Sequence, residues 1–262
     1  MCLAVIALDL HPRYRIVVAA NRDEFHARPT EAAHWWANST PPLLAGRDLR
    51  QGGTWLGVTP SGRLAFVTNV REPGHHDPNA PTRGALVPAL LRDSRPVATA
   101  IASVVANAQH YNGFNLVAVD ESGGAFASNR SPGVKVLGRG LYGVSNAGLD
   151  TPWPKLVRAK AGVAAWLAAG HEEIDALWPV LADTTVASDE ALPHTGITRE
   201  RERLLSAPFI VSDAYGTRSS TIVTVDRDGR VRFVERSFDA GASLVGEAAF
   251  EFLIDQNERS IA

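Results

Sequence analysis

The chain has 262 residues, 45% of them hydrophobic and 21% charged, and a formal net charge of −2 at pH 7. That balance suits a soluble globular protein with a substantial core, and it lacks the basic footprint of a nucleic-acid binder. A single cysteine, Cys2, rules out an intramolecular disulfide framework and fits a reducing compartment.

The first element is an apolar run, Cys2–Leu8, read as a buried strand. It is far too short for a membrane span and no basic segment precedes it as in a signal peptide, so a cytoplasmic location is expected. Cys2 itself has two readings. It is either a small apolar residue that starts a core strand, or a nucleophile. Removal of Met1, which aminopeptidases perform when the second residue is small, would leave a thiol and a free α-amine on one residue. The amine, with an ordinary pKa of about 7.7–8.0, then serves as the base that activates the thiol.

A second strand, Arg15–Ala20, follows the connection Asp9-Leu10-His11-Pro12-Arg13 and runs into Asn21-Arg22-Asp23-Glu24. Four polar residues without Gly or Pro make either a solvated ion-pair cluster or a site. In extended backbone Asn21 and Asp23 share one face, and Arg22 and Glu24 the other. Gly52–Thr59 and Arg63–Asn69 read as strands around the turn Pro60-Ser61-Gly62. The glycines at 52 and 53 permit a close backbone approach, as a bulge or a ligand requires, and Trp55 is expected to pack in the core. Asn69 ends its strand as a turn former or as an amide donor to an oxyanion.

Residues 74–82 form a Pro-, Gly- and His-rich loop in which His75-His76-Asp77 lacks metal-ligand spacing, so no metal is expected. Helices are predicted over Arg83–Arg92 and Pro96–Gln109, then strands over Phe114–Asp120, Ala125–Asn129, Val134–Leu137 and Leu141–Ser145. The last of these leads into Asn146. A long helix, Pro152–Ala169, ends at Gly170, and Glu172–Leu181 continues helical. Residues 182–196 read as a surface loop and Thr198–Leu205 as a short helix. Strands return at Ile210-Val211, Thr217–Asp226 and Arg230–Ser237, and Phe250–Ile254 closes as an amphipathic segment. Strands, helices, strands, helices, strands is not the alternation of a parallel doubly wound sheet. It suits one domain over residues 1–262, an α+β four-layer αββα sandwich of two antiparallel sheets between helical layers.

Met1-Cys2, Ala20-Asn21-Arg22-Asp23-Glu24-Phe25, Gly52-Gly53-Thr54-Trp55-Leu56-Gly57, Leu64–Asn69, Tyr111–Leu116, Tyr142–Asn146 with Thr151-Pro152-Trp153, and Tyr215–Ser219 occur in the order seen in one family. On these motifs the chain resembles the NRDE family, also called the transport and Golgi organisation protein 2 family. That family is in turn similar to N-terminal-nucleophile hydrolases of the penicillin V acylase and bile-salt hydrolase branch. The resemblance implies the αββα fold and an amide hydrolase or acyltransferase acting on a small acyl amide without a required cofactor. Carried over, Cys2 is the nucleophile, Asp23 the acid near its amine, Asn69 and Asn146 the amides at the reacting carbonyl, and Arg218 an arginine near the thiol. Asn21, Arg22 and Trp55 are expected to line the substrate pocket. The same resemblance also implies an alternative, non-catalytic protein that binds heme or an acyl lipid in the same cleft, with Cys2 or a histidine as axial ligand and Trp35, Trp36 and Trp55 lining an apolar pocket. Either way the partner is a small molecule.

Overall fold

Strand β1 (Cys2–Leu8) owes its unbroken apolar sequence to being covered on both faces. Side chains alternate along a strand, so Ala4, Ile6 and Leu8 enter one core while Leu3, Val5 and Ala7 enter another. A computed structural model describes residues 2–255; Met1, whose removal a nucleophilic Cys2 requires, lies outside the described residues.

β1 lies inside a six-stranded antiparallel sheet whose order is β10 (Gly140–Val144), β1, β2 (Tyr14–Phe25), β11 (Tyr215–Asp226), β12 (Arg230–Phe238) and β13 (Leu244–Leu253). A seven-stranded antiparallel sheet runs in sequence order through β3 (Thr30–Trp36), β4 (Leu43–Asp48), β5 (Leu56–Val58), β6 (Leu64–Asn69), β7 (Phe114–Asp120), β8 (Gly123–Ser128) and β9 (Ser131–Leu137). The two sheets bury Ile6, Val18, Leu64, Phe66, Val117 and Phe233 between them. Helices α1 (Leu86–Leu91) and α2 (Val97–Ala106) cover the outer face of the larger sheet through Leu90, Ala100 and Ile101. The outer face of the smaller sheet is covered by α3 (Pro154–Ala169) and α4 (Trp178–Leu181), through Leu156, Val163, Trp166 and Leu177. The architecture is the αββα sandwich that the order of elements suggested. No helix among the described residues is long and apolar enough to cross a membrane.

Helix α3 matters most for the site. Trp153 is held extended by the proline that follows it, Pro154 occupies the first turn, and Gly170 closes the helix in the left-handed region at φ 63°. Its buried stripe, Leu156, Ala159, Val163 and Trp166, has helical spacing. Lys155 belongs to the same buried face.

Several boundaries differ from the sequence expectation. β2 does not end at Ala20 but continues to Phe25, because β1 pairs with Asn21 and Arg22 on one side and β11 pairs with Asn21 through Phe25 on the other. β3 and β4 were not foreseen, and the strand expected from residue 52 begins only at Leu56. Ile210-Val211 forms no strand, whereas β13 begins at Leu244 as an exposed edge. A short helix, α5 (Arg199–Leu204), follows Thr198, whose hydroxyl accepts from the Arg201 N–H at its start.

Candidate active site

Cys2 and Arg22 are register partners on β1 and β2, so their side chains leave the sheet on one face. That face looks toward the second sheet, where the Arg22 guanidinium lies 4.3 Å from the Trp55 ring centroid and donates to Thr30 Oγ1 at 3.2 Å. A cavity of about 330 Å³ opens there, lined by Cys2, Arg22, Asp23, Trp55, Asn69 and Arg83 among others. Its size is that of a small-ligand site. Cys2 is half-buried at its head.

Asp23 is 1% exposed, and its surroundings explain how a carboxylate survives inside a strand. The Thr217 hydroxyl donates to Asp23 Oδ1 at 2.7 Å, and Lys155 Nζ lies 3.6 Å from Oδ2. Lys155, itself 1% exposed, also donates to Asn146 Oδ1 at 3.0 Å. Asn146 Nδ2 in turn donates to the Asn69 carbonyl at 2.9 Å. A continuous polar chain therefore links Asp23 on β2, Lys155 on α3, Asn146 after β10 and Asn69 at the end of β6. Thr68 Oγ1 donates to the Ser145 carbonyl at 2.6 Å, and Asn115 Nδ2 donates to Thr68 Oγ1 at 3.1 Å and to the Ala147 carbonyl. These bonds hold the end of β6 against the end of β10, so one sheet fixes polar groups for the other.

The ionisation of this group follows from burial and from neighbouring charge. Burial pushes the Cys2 thiol above its ordinary value and Asp23 adds to the rise, while the Arg22 charge and the Asp23 backbone N–H act the other way. Burial likewise raises Asp23, opposed chiefly by Lys155 and then by the Thr217 hydroxyl. Lys155 is lowered by burial, with Asp23 as its main stabilising charge. Burial thus disfavours the charged form of each, and each is the main charge that favours the other's.

The chain matches the family model described as Transport and Golgi organisation 2 over residues 1–240. It belongs to the transport and Golgi organisation 2 family. The transport and Golgi organization protein 2 homolog of Bos taurus is 38% identical over 259 residues, covering 90% of this chain and 93% of that protein. Among solved structures, an N-acylethanolamine-hydrolyzing acid amidase ortholog from Caenorhabditis elegans superposes with a TM-score of 0.51 at 12% identity, over 84% of this chain and 92% of its own. The C2A mutant of a conjugated bile acid hydrolase from Clostridium perfringens gives 0.54 at 8% identity, over 98% and 93%. This family member thus shares its fold with these two hydrolases.

Not every expected residue converges on the cavity. Arg218 sits at the bulge where β11 shifts register between Thr217 and Ser219, and its Nη1 donates to the carbonyls of Phe25, His26 and Arg28. It ties down the turn after β2 and does not line the cavity; the arginine beside Cys2 is Arg22. Asn21 does not line it either. Its Nδ2 donates to the Leu181 and Pro208 carbonyls at 2.8 and 2.9 Å and its Oδ1 accepts from Ser220, so it anchors the helical layer. Asn146 is fully buried with its amide donor engaged by the Asn69 carbonyl, so of the two it is Asn69 that lines the cavity.

Sequence reasoning missed Lys155, Arg83 and Tyr215. Lys155 did carry a signal: it is one of three lysines in an arginine-rich chain and stands in the first turn of a helix, where the macrodipole disfavours a cation. Arg83 begins the turn that follows the residue 74–82 loop, and no local pattern marks it. Burial holds the Tyr215 phenol well above its ordinary range, with Asp23 and Cys2 as the next influences.

Proposed function

We propose that this protein is an N-terminal-nucleophile amide hydrolase in which Cys2 becomes the first residue once Met1 is removed. The observation that supports this most directly is the half-buried Cys2 thiol at the head of a cavity, beside a buried Asp23–Lys155 pair. Cys2 sulfur attacks the amide carbonyl carbon while the Cys2 α-amine accepts the thiol proton. The oxyanion accepts a hydrogen bond from Asn69 Nδ2, a donor of the kind worth ~2.7–4 kcal/mol in acyl transfer. Collapse breaks the C–N bond, and the departing nitrogen takes the proton from the α-ammonium. Water then attacks the thioester, returns a proton through the same amine and releases the acid with the thiol restored. Asp23 holds the ammonium in place. Lys155 keeps Asp23 charged and fixes Asn146, which positions Asn69 through its carbonyl.

Intact-mass spectrometry of the native protein is expected to show Cys2 at the amino terminus, and a panel of fluorogenic acyl amides to be cleaved. Cys2→Ala is expected to remove that cleavage and the thioester adduct with the fold unchanged by circular dichroism. An amidase still fully active in Cys2→Ala would refute the mechanism, and Met1 found attached to the native chain would favour a binding-only role.

A further inference from the structure

The charged groups around the cavity are not all joined in ion pairs. Of its acidic lining residues, Asp23 is matched by Lys155 and Asp48 by Arg28. Glu24 and Asp77 turn carboxylate oxygens to the backbone N–H groups of Phe25 and Asn79, at 2.9 and 2.8 Å. Besides the exposed Arg50, Arg22 and Arg83 remain. Among the described residues neither forms an ion pair with a carboxylate: Arg22 donates to Thr30 and stacks on Trp55, and Arg83 Nη1 donates to the Gly113 carbonyl at 3.1 Å.

Arg83 is also held in place. Its turn is capped by Thr82 Oγ1, which accepts from the Gly84 N–H, and Thr54 N–H donates to the Gly84 carbonyl at 3.0 Å. A Cβ on Gly53 would lie 2.5 Å from the Gly84 carbonyl carbon, so the close approach those glycines allow is to the segment that carries Arg83. Of the charges around Arg83, the Cys2 sulfur acts on it most strongly. Two held guanidinium groups thus line the same cavity as one thiol, and a guanidinium fork matches the geometry of a carboxylate.

We propose that Arg83 and Arg22 form an anion clamp beside Cys2, so that the molecule this site takes is an acyl amide bearing a carboxylate. The substrate part of this inference rests on the hydrolase reading; the clamp itself is tested without turnover. Cys2 is the sole cysteine, so its alkylation by iodoacetate, which carries a carboxylate, is compared with alkylation by neutral iodoacetamide. Both reagents consume the same thiolate, and their rate ratio cancels its reactivity.

Relative to N-acetylcysteine amide, the iodoacetate-to-iodoacetamide ratio at Cys2 is expected to rise by about tenfold or more, the effect of one close charge pair in partly buried surroundings. Arg83→Gln should return the ratio toward the reference, whatever its effect on the iodoacetamide rate itself, and Arg83→Lys should retain much of it. A ratio equal to the reference, or unchanged in Arg83→Gln, overturns the clamp. Should Arg83→Gln fail to fold, protection of Cys2 from iodoacetamide by succinate but not by succinamide decides the matter on the native protein, and equal protection by both overturns it. A raised ratio with no amide cleaved would retain the anion site and reject the hydrolase; cleavage with no preference for a carboxylate and a reference-like ratio would do the reverse.

Discussion

Glu235 on β12 offers a pH test of the packing between the sheets. It is 1% exposed, its Oε1 accepts from the Ala33 N–H of β3 at 2.8 Å, and Thr221 Oγ1 lies 3.4 Å from Oε2. Burial raises its pKa to about 7, against the opposing backbone bond from Ala33 and the charge of Arg22. Because the folded pKa exceeds the unfolded one, the folded state keeps a proton that the unfolded state has lost between pH 4.5 and 7. Stability therefore falls as pH rises through that window and levels off above it. At about 1.36 kcal/mol for each pH unit between the folded and unfolded values, the cost is about 3 kcal/mol at pH 8. Glu235→Gln mimics the protonated acid, since its carbonyl can accept from Ala33 and its amide can donate to Thr221. Urea unfolding followed by tryptophan fluorescence should find parent and variant alike near pH 4 and the variant more stable by up to about 3 kcal/mol at pH 8. Parallel pH profiles for the two proteins would refute the reasoning.

Lys155→Met should lower stability by about 3–5 kcal/mol, because it leaves the buried Asp23 carboxylate without this cation. The double variant Lys155→Met with Asp23→Asn should recover much of that in the same urea assay, and purely additive losses would show that the two side chains do not act as a pair. Asn69→Ala should reduce kcat on a cleaved amide by about 10²–10³-fold with the melting temperature nearly unchanged. Asn146→Ala should lower both, since its side chain holds Lys155 and the Asn69 carbonyl; equal thermal stability for the two alanine variants would sink the distinction.

The elements that were readable from sequence are those whose burial follows a simple period. β6, β7 and the body of β11 are buried almost throughout, and α3 repeats an apolar stripe between a proline and a glycine. β3 was missed because its register slips between Glu31 and His34, which scrambles the period-two pattern on an outer strand. β13 was cut short because it is an exposed edge, where the chain need not alternate until Phe250. The site behaved differently. Cys2, Asp23 and Asn69 stood out in the sequence because polar or reactive groups interrupt or end apolar strands, and all three line the cavity. Arg22 lines the cavity as expected, whereas Arg218 does not, because it sits at a one-residue bulge on β11, and a bulge leaves no local trace in the sequence.

Asn21-Arg22-Asp23 looked like the end of β2 because a run of polar residues does not ordinarily sit inside a sheet. Each instead has a partner brought from far along the chain: Asn21 from Leu181, Pro208 and Ser220, Arg22 from Trp55, and Asp23 from Lys155 and Thr217. Burying a charge is tolerable only with such partners, so the extension of β2 to Phe25 depends on both sheets and the α3 layer. A change that uncouples Asp23 from Lys155 should be felt at Cys2 and in the stability of the whole sandwich together.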